Sequence, residues 1–240
     1  MTIYATAGTR VFIGAALAAK ATDFVLADFP TTGWVEVGEA EGLGTVGDTS
    51  AEITFDGIAA SRTRRLKGTR NAGSMEIVCG IDPADAGQIA IIAAEKTPHD
   101  YAFRLLMNDA PPPAISTVTI TIASPGVVSW AGHALVNGSG VRFTTTGALP
   151  TGLSAGTTYY VVNAAAGTFQ VSATPGGTAI VTSGTQSGVH TAQSVPNGSQ
   201  RYFVAKVASA SEQFDSANSV MKLNATLWVN SNVVKVNAGV

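Results

Sequence analysis

Pro111-Pro112-Pro113-Ala114-Ile115-Ser116-Thr117-Val118-Thr119-Ile120-Thr121-Ile122-Ala123 is where this chain changes character. Proline fixes φ and holds a segment extended, so three in succession make a stiff spacer. From Ala114 to Ser194 the chain carries one charged residue, Arg142, while the other 29 of its 30 charges (14 Lys and Arg, 16 Asp and Glu) lie on either side. A compositional break across a stiff spacer is how an inserted domain looks in sequence. The expected division is a discontinuous main domain, residues 1–113 with 195–240, interrupted by an insert, residues 114–194.

Within the insert, Thr117 to Ala123, Val127 to Trp130, Val141 to Thr145, Thr157 to Asn163, Thr168 to Ala173 and Ala179 to Thr182 read as short strands separated by Gly, Pro, Asn and Ser turns. A small all-β, Ig-like sandwich is expected, with Trp130, Tyr159 and Tyr160 as core aromatics. The main domain mixes strands with one helix. Val11 to Ala15, Trp34 to Val37, the alternating Ala51, Ile53, Phe55 and Met75, Ile77, Cys79, Ile81, and Tyr101 to Met107 all read as strands. The 51–56 and 75–81 segments are expected to pair as a long hairpin from about 50 to 80. Asp82-Pro83-Ala84-Asp85 predicts a helix over 83–96, capped by Asp82, with Ile89, Ile92 and Ala93 facing the sheet and Ile91 near the edge of that stripe. Arg201 to Ser209 and Val220 to Asn230 close the domain. In the last of these, Met221, Leu223, Ala225, Leu227 and Val229 point one way, and Lys222, Asn224, Thr226, Trp228 and Asn230 the other. The fold class is mainly β: a barrel or sandwich with one flanking helix, plus the inserted β domain.

Composition narrows the function classes. One cysteine, Cys79, excludes an intrachain disulfide, and His99, His133 and His190 are too scattered for Cys/His metal-ligand spacing. Val11 to Ala19 is a nine-residue apolar run without a basic leader, so it reads as a strand and not a signal peptide. A net charge of −2 gives no general affinity for nucleic acid or anionic membrane. Charged residues are 12% of the chain, about half the usual share, which predicts a surface largely covered by other subunits. Gly152-Leu153-Ser154-Ala155-Gly156 matches the hydrolase nucleophile elbow, but it follows Pro150 and leads into a strand where an elbow leads into a helix. No enzyme activity and no cofactor are expected.

Charge order is the informative pattern. Ala21 to Ser61 holds eight acids and no Lys or Arg, after which Arg62, Arg64, Arg65, Lys67 and Arg70 fall within nine residues. The hairpin is therefore expected to carry a basic tip, which reads as a solvated loop, as a nucleic-acid contact weakened by the lack of aromatic neighbours and the net acidic charge, or as one half of a self-complementary surface. A molecule with an acidic surface and a basic projection can associate head to tail, closing into a ring or extending as a filament.

Six features together resemble the major tail tube proteins of long-tailed bacteriophages: Gly8-Thr9-Arg10-Val11-Phe12-Ile13-Gly14, Trp34-Val35-Glu36-Val37-Gly38, the hairpin, the helix opening at Asp82-Pro83, Tyr101-Ala102-Phe103-Arg104-Leu105 and the Leu223 to Val229 strand. The insert, with Gly147-Ala148-Leu149-Pro150-Thr151-Gly152-Leu153 and Gly156-Thr157-Thr158-Tyr159-Tyr160-Val161-Val162, resembles a β module of phage structural proteins. The resemblance implies a virion subunit, assembled in the host bacterial cytoplasm, that forms hexameric rings stacked as a tail tube. Its partners would be further copies of itself and the tape measure, terminator and distal tail proteins, with no membrane. DNA would pass through the lumen without specific binding. It also implies that Arg62, Arg64, Arg65, Lys67, Arg70 and the acids Glu36, Glu39, Glu41 and Asp48 meet between rings, that Asn224, Thr226 and Asn230 face the lumen, and that the insert lies outside. A secretion-system tube subunit and an exported adhesin or carbohydrate-binding protein are the alternative readings.

Overall fold

The structure, a computed structural model, describes residues 3–239. In chain order its strands are β1 Arg10–Ala16, β2 Val35–Val37, β3 Ala40–Leu43, β4 Thr49–Phe55, β5 Arg64–Asn71 and β6 Ser74–Gly80. Helix α1 Ala86–Glu95 and β7 Tyr101–Leu106 follow. Then come β8 Ile115–Ile120, β9 Val128–Ser129, β10 Gly140–Thr145, β11 Thr158–Ala165, β12 Thr168–Ser172 and β13 His190–Val195. The chain closes with β14 Gln200–Gln213, β15 Lys222–Val229 and β16 Val234–Val236. The fold is mainly β with one α-helix among the described residues. It divides into two compact units: the chain through Asn108 with Ser199–Asn237, and Asp109–Gly198 with Ala238 and Gly239. The proline run thus belongs to the second unit.

The first unit is an antiparallel eight-stranded sheet in the order β2-β1-β7-β14-β15-β6-β3, with β16 also pairing β14. Both faces carry apolar rows. On one, Val11, Ile13, Met75, Ile77, Phe103, Phe203 and Leu227 pack against Ile91 and Ala94 of α1. On the other, Ala102, Tyr202 and Val204 pack with Phe24 and Phe29 from the β1–β2 connection. β15 alternates as its sequence requires, burying Leu223, Ala225, Leu227 and Val229.

Helix α1 starts later than expected. Asp82 Oδ1 accepts from the Ala84 amide at 2.9 Å, making a tight turn around Pro83, and Asp85 is the residue that caps, accepting from the Gln88 amide at 2.7 Å. The buried stripe is Gly87, Gln88, Ile91 and Ala94; Ile89 and Ala93, expected inside, are exposed. Gly87 sets this rotation, because it lets the helix touch the β2 backbone: a Cβ there would lie 2.1 Å from Glu36 O.

The expected pairing of 51–56 with 75–81 is not what forms. β4 pairs with β5 (Ile53 with Leu66, Phe55 with Arg64) as a separate two-stranded hairpin, while β6 pairs with β15 and β3. The hairpin is shorter, and its second strand is the basic segment itself.

In the second unit, β10-β11-β12-β9-β8-β13 hydrogen-bond around into a closed barrel, where a two-sheet sandwich was expected. Trp130, Phe143, Tyr159, Phe169 and Val141 fill it. The expected strand at Ala179 to Thr182 is irregular, and β13, which crosses the expected 194/195 boundary, completes the ring.

The insertion point explains how the main sheet tolerates a foreign domain. Leu106 pairs with Gln200, and the Met107 amide donates to Ser199 O at 2.9 Å, so β7 and β14 are adjacent antiparallel strands with the insert as their loop. Replacing residues 109–198 by a Gly/Ser linker of about four residues, an ordinary hairpin loop length, is expected to leave the first unit folded. A cooperative thermal melt with retained β-type circular dichroism is the expected readout; loss of the melt would make the insert part of the main fold.

Candidate functional site

The hairpin is the most exposed regular element. Its two faces differ. Ile53, Phe55, Leu66 and Arg64 share one, since residues directly opposite in an antiparallel pair point the same way, and Glu52, Thr54, Arg65 and Lys67 share the other. Ile53, Phe55 and Leu66 are 51%, 60% and 62% exposed, and Ile58 in the connecting turn is fully exposed. The alternation Ala51, Ile53, Phe55 thus marks an apolar face, as expected, but nothing in the subunit covers it. An exposed apolar face of this kind makes the hairpin the candidate contact surface of the subunit.

The basic residues are spread along the hairpin and are not gathered at its tip. Arg62 alone sits in the turn region; Arg64, Arg65, Lys67 and Arg70 run down β5 to its base. Arg65 Nε lies 2.9 Å from Glu52 Oε1. Arg70 NH2 lies 2.5 Å from Asp23 Oδ1, and its NH1 3.8 Å from Asp48 Oδ2. The guanidinium hydrogen bond to Asp23 holds that carboxyl below its ordinary range and Arg70 above its own. Arg62, Arg64 and Lys67 have no ionic partner among the described residues.

The acids named with them are distributed likewise. Glu36, on β2, is bound in a bidentate pair by Arg10, which lowers its pKa, and Glu41 lies 2.7 Å from Lys222 Nζ. Asp48 belongs to the Arg70 cluster, and Glu39 stands without an ionic partner at a left-handed φ of 53°. Three of the four acids are therefore engaged inside the subunit.

Arg70 is the side chain that ties the hairpin's base to the Asp23 segment. Because Asp23's folded pKa is lowered, the tie is fully present above the ordinary aspartate range and is lost as pH falls through the lowered value. Arg70→Ala is expected to speed amide hydrogen exchange in Thr49–Phe55 severalfold at neutral pH, and high salt at the same pH is expected to do the same to the parent. Unchanged exchange would show the hairpin's pose to be held by its backbone alone.

Of the strand residues, Asn224 and Thr226 share a half-buried face of β15 with Lys222 and the exposed Trp228, and Asn224 Nδ2 donates to Gln213 Oε1 at 3.0 Å. Asn230 lies past the end of β15 and donates to Asp100 Oδ1 at 2.8 Å, so it is not part of that row. Glu41 balances the charge of Lys222.

The remaining sequence candidates fall in structural roles. Gly152, at φ 106°, opens a turn in which the Ser154 amide donates to Tyr159 OH at 2.8 Å. His190 is buried, with Nδ1 2.8 Å from Thr145 Oγ1 and Nε2 3.0 Å from Gln186 Oε1. His133 packs edge-on to Phe169. Cys79 is buried, and desolvation, helped by Asp85, pushes its thiol up to about 11. Among the described residues no group of His, Cys, Asp and Glu has a metal-holding arrangement, and no helix is long and apolar enough to cross a membrane. The chain matches no protein-family model and no curated protein sequence.

Proposed function

We propose that the chain is a self-assembling virion subunit of the tail-tube kind, forming hexameric rings that stack into a conduit for DNA. The observation that carries this reading is the hairpin: a β arm with one apolar face, exposed in the single subunit and edged by the unpaired cations Arg62 and Arg64. Such an arm contributes little to the fold of its own chain and has the length and chemistry to reach another. A low overall charge, at 12% of residues, fits a surface buried by neighbouring copies. The polar row with Asn224 and Thr226, its lysine neutralised, suits a wet wall along which DNA slides without phosphate contacts. The finer fold assignment, a tail-tube sheet with an Ig-related external module, belongs to the same proposal.

Negative-stain electron microscopy together with sedimentation at low and moderate salt tests it. Rings or hollow tubes are the expected particles. A strict monomer at every salt and protein concentration, also after addition of an initiating tail-tip complex, would overturn it.

A further inference from the structure

We propose that Arg104 is a docking point for a carboxylate, supplied by an acidic side chain of a second copy; the source rests on the assembling-subunit reading, the site does not. Glu36, Phe12, Arg104, Tyr202 and Val234 form one row across β2, β1, β7, β14 and β16, each directly opposite the next, so their side chains share a face. The Arg104 guanidinium lies 4.2 Å from the centroid of Phe12 and 5.1 Å from that of Trp34. Trp34 is itself fixed: its Nε1 donates to Pro30 O at 2.8 Å, its ring meets Tyr202 at 5.8 Å, and Gly14 leaves it room, since a Cβ there would sit 2.9 Å from the indole.

The one acid in this row is already taken. Arg10, whose guanidinium lies 5.0 Å from the same Phe12 ring, holds both oxygens of Glu36, with Nε to Oε1 at 2.6 Å. The Arg104 side chain donates no hydrogen bond to a described residue, and its Nε is the one buried side-chain nitrogen or oxygen without a partner among them. Its terminal nitrogens are not buried in this way, and the residue as a whole is half-buried, so solvent reaches the end of the guanidinium. Two arginines and one carboxylate leave one positive charge unbalanced, held by aromatic faces in a fixed plane. A planar pair of donors on a rigid cation matches a carboxylate approaching end-on to the two terminal nitrogens. Glu36 alongside disfavours a doubly charged phosphate more than a singly charged carboxylate. Glu39 and Glu76 are exposed and have no ionic partner among the described residues, so a second copy offers carboxylates free to meet Arg104.

Fluorine NMR on protein labelled with 5-fluorotryptophan gives one resonance each for Trp34, Trp130 and Trp228, and the signal missing from Trp34→Phe identifies that of Trp34. In monomeric protein at constant ionic strength, butyrate, a singly charged carboxylate, is expected to move the Trp34 resonance saturably, and equal phosphate not to. Arg104→Gln should abolish the shift and raise the protein concentration needed for ring formation at least tenfold. Arg104→Lys, which retains charge and stem if the glutamine variant does not fold, should lose most of the shift because it lacks the planar pair. If the wild-type resonance ignores butyrate, or answers phosphate equally, Arg104 is a solvated arginine and the site is refuted. A specific butyrate shift in a wild type that never assembles keeps the site and rejects the second copy as its source. A butyrate shift with unchanged assembly of Arg104→Gln rejects that source as well.

Discussion

Phe55→Asp combined with Leu66→Asp is expected to leave a folded subunit that no longer forms rings or tubes at concentrations where the parent does. Both side chains lie on the hairpin's apolar face at 60% and 62% exposure, so the subunit's own core loses almost nothing. Surface substitutions of this kind change fold stability by about 0.5 kcal/mol or less. Assembly is a different matter. Completing the burial of a half-exposed Phe or Leu contributes about 1 kcal/mol each, and placing a carboxylate in the same contact costs more than the lost burial. A combined loss of about 3 kcal/mol per contact raises the critical concentration by about 100-fold. Because a ring repeats each contact, the transition is effectively all or none. Thr54→Asp on the opposite face is the control and should assemble as the parent does. Pelleting assays with electron microscopy read both; tubes of normal length from the double variant would show that this face is not an interface.

That prediction depends on a distinction local pattern cannot make. Ala51, Ile53 and Phe55 alternate as cleanly as Leu223, Ala225, Leu227 and Val229, yet the second row is buried and the first is bare. Period-2 patterning says which side chains share a face; what covers the face is settled by distant chain. The same holds for pairing. β6 finds its partner in β15, almost 150 residues later, so the nearer β4 looked like its hairpin mate, while Arg64–Asn71, poor in apolar residues, hid as a loop. In α1, Ile89, Ile91 and Ile92 cover most of the circumference, so hydrophobicity does not choose the inward face; Gly87 and Gln88 do, through contact and hydrogen bonding. β13 was missed because it buries His190, Ala192 and Ser194, small or polar residues that hydrogen bonds make acceptable inside. The two opposed charge blocks were legible, but their local pairing was not: Arg70 turns back on Asp23 and Asp48 within the same subunit. Arg104 carried no signal at all within Tyr101–Leu106, since its setting is built by Phe12, Trp34 and the diversion of Glu36 to Arg10.

Gly87→Ala is expected to be the most damaging small substitution in the first unit, against the ordinary preference of helices. Alanine is favoured over glycine in a helix interior by about 1 kcal/mol, so a free helix would gain. Here the added carbon would meet Glu36 O at 2.1 Å and Val37 Cα at 2.5 Å, both backbone, and neither side has a flexible tip to yield. The helix must move off β2. Moving it disturbs Ile91 and Ala94 in the main core and the buried Gln88, whose Nε2 donates to Gly80 O at 2.8 Å and to Gly38 O at 3.3 Å and whose Oε1 accepts from the Asp82 amide at 3.0 Å. Overpacking and partly broken buried hydrogen bonds together cost about 4 kcal/mol, which leaves a net loss of about 3 kcal/mol after the propensity gain. For a unit of this size the melting temperature should fall by about 6 to 12 °C. Gly47→Ala, where an added Cβ meets nothing within 4 Å, is the control and should melt within about 2 °C of the parent. An unchanged or raised melting temperature for Gly87→Ala would mean that the helix rides further from β2 than 2.1 Å contacts allow, and that Gln88, not Gly87, selects the inward face.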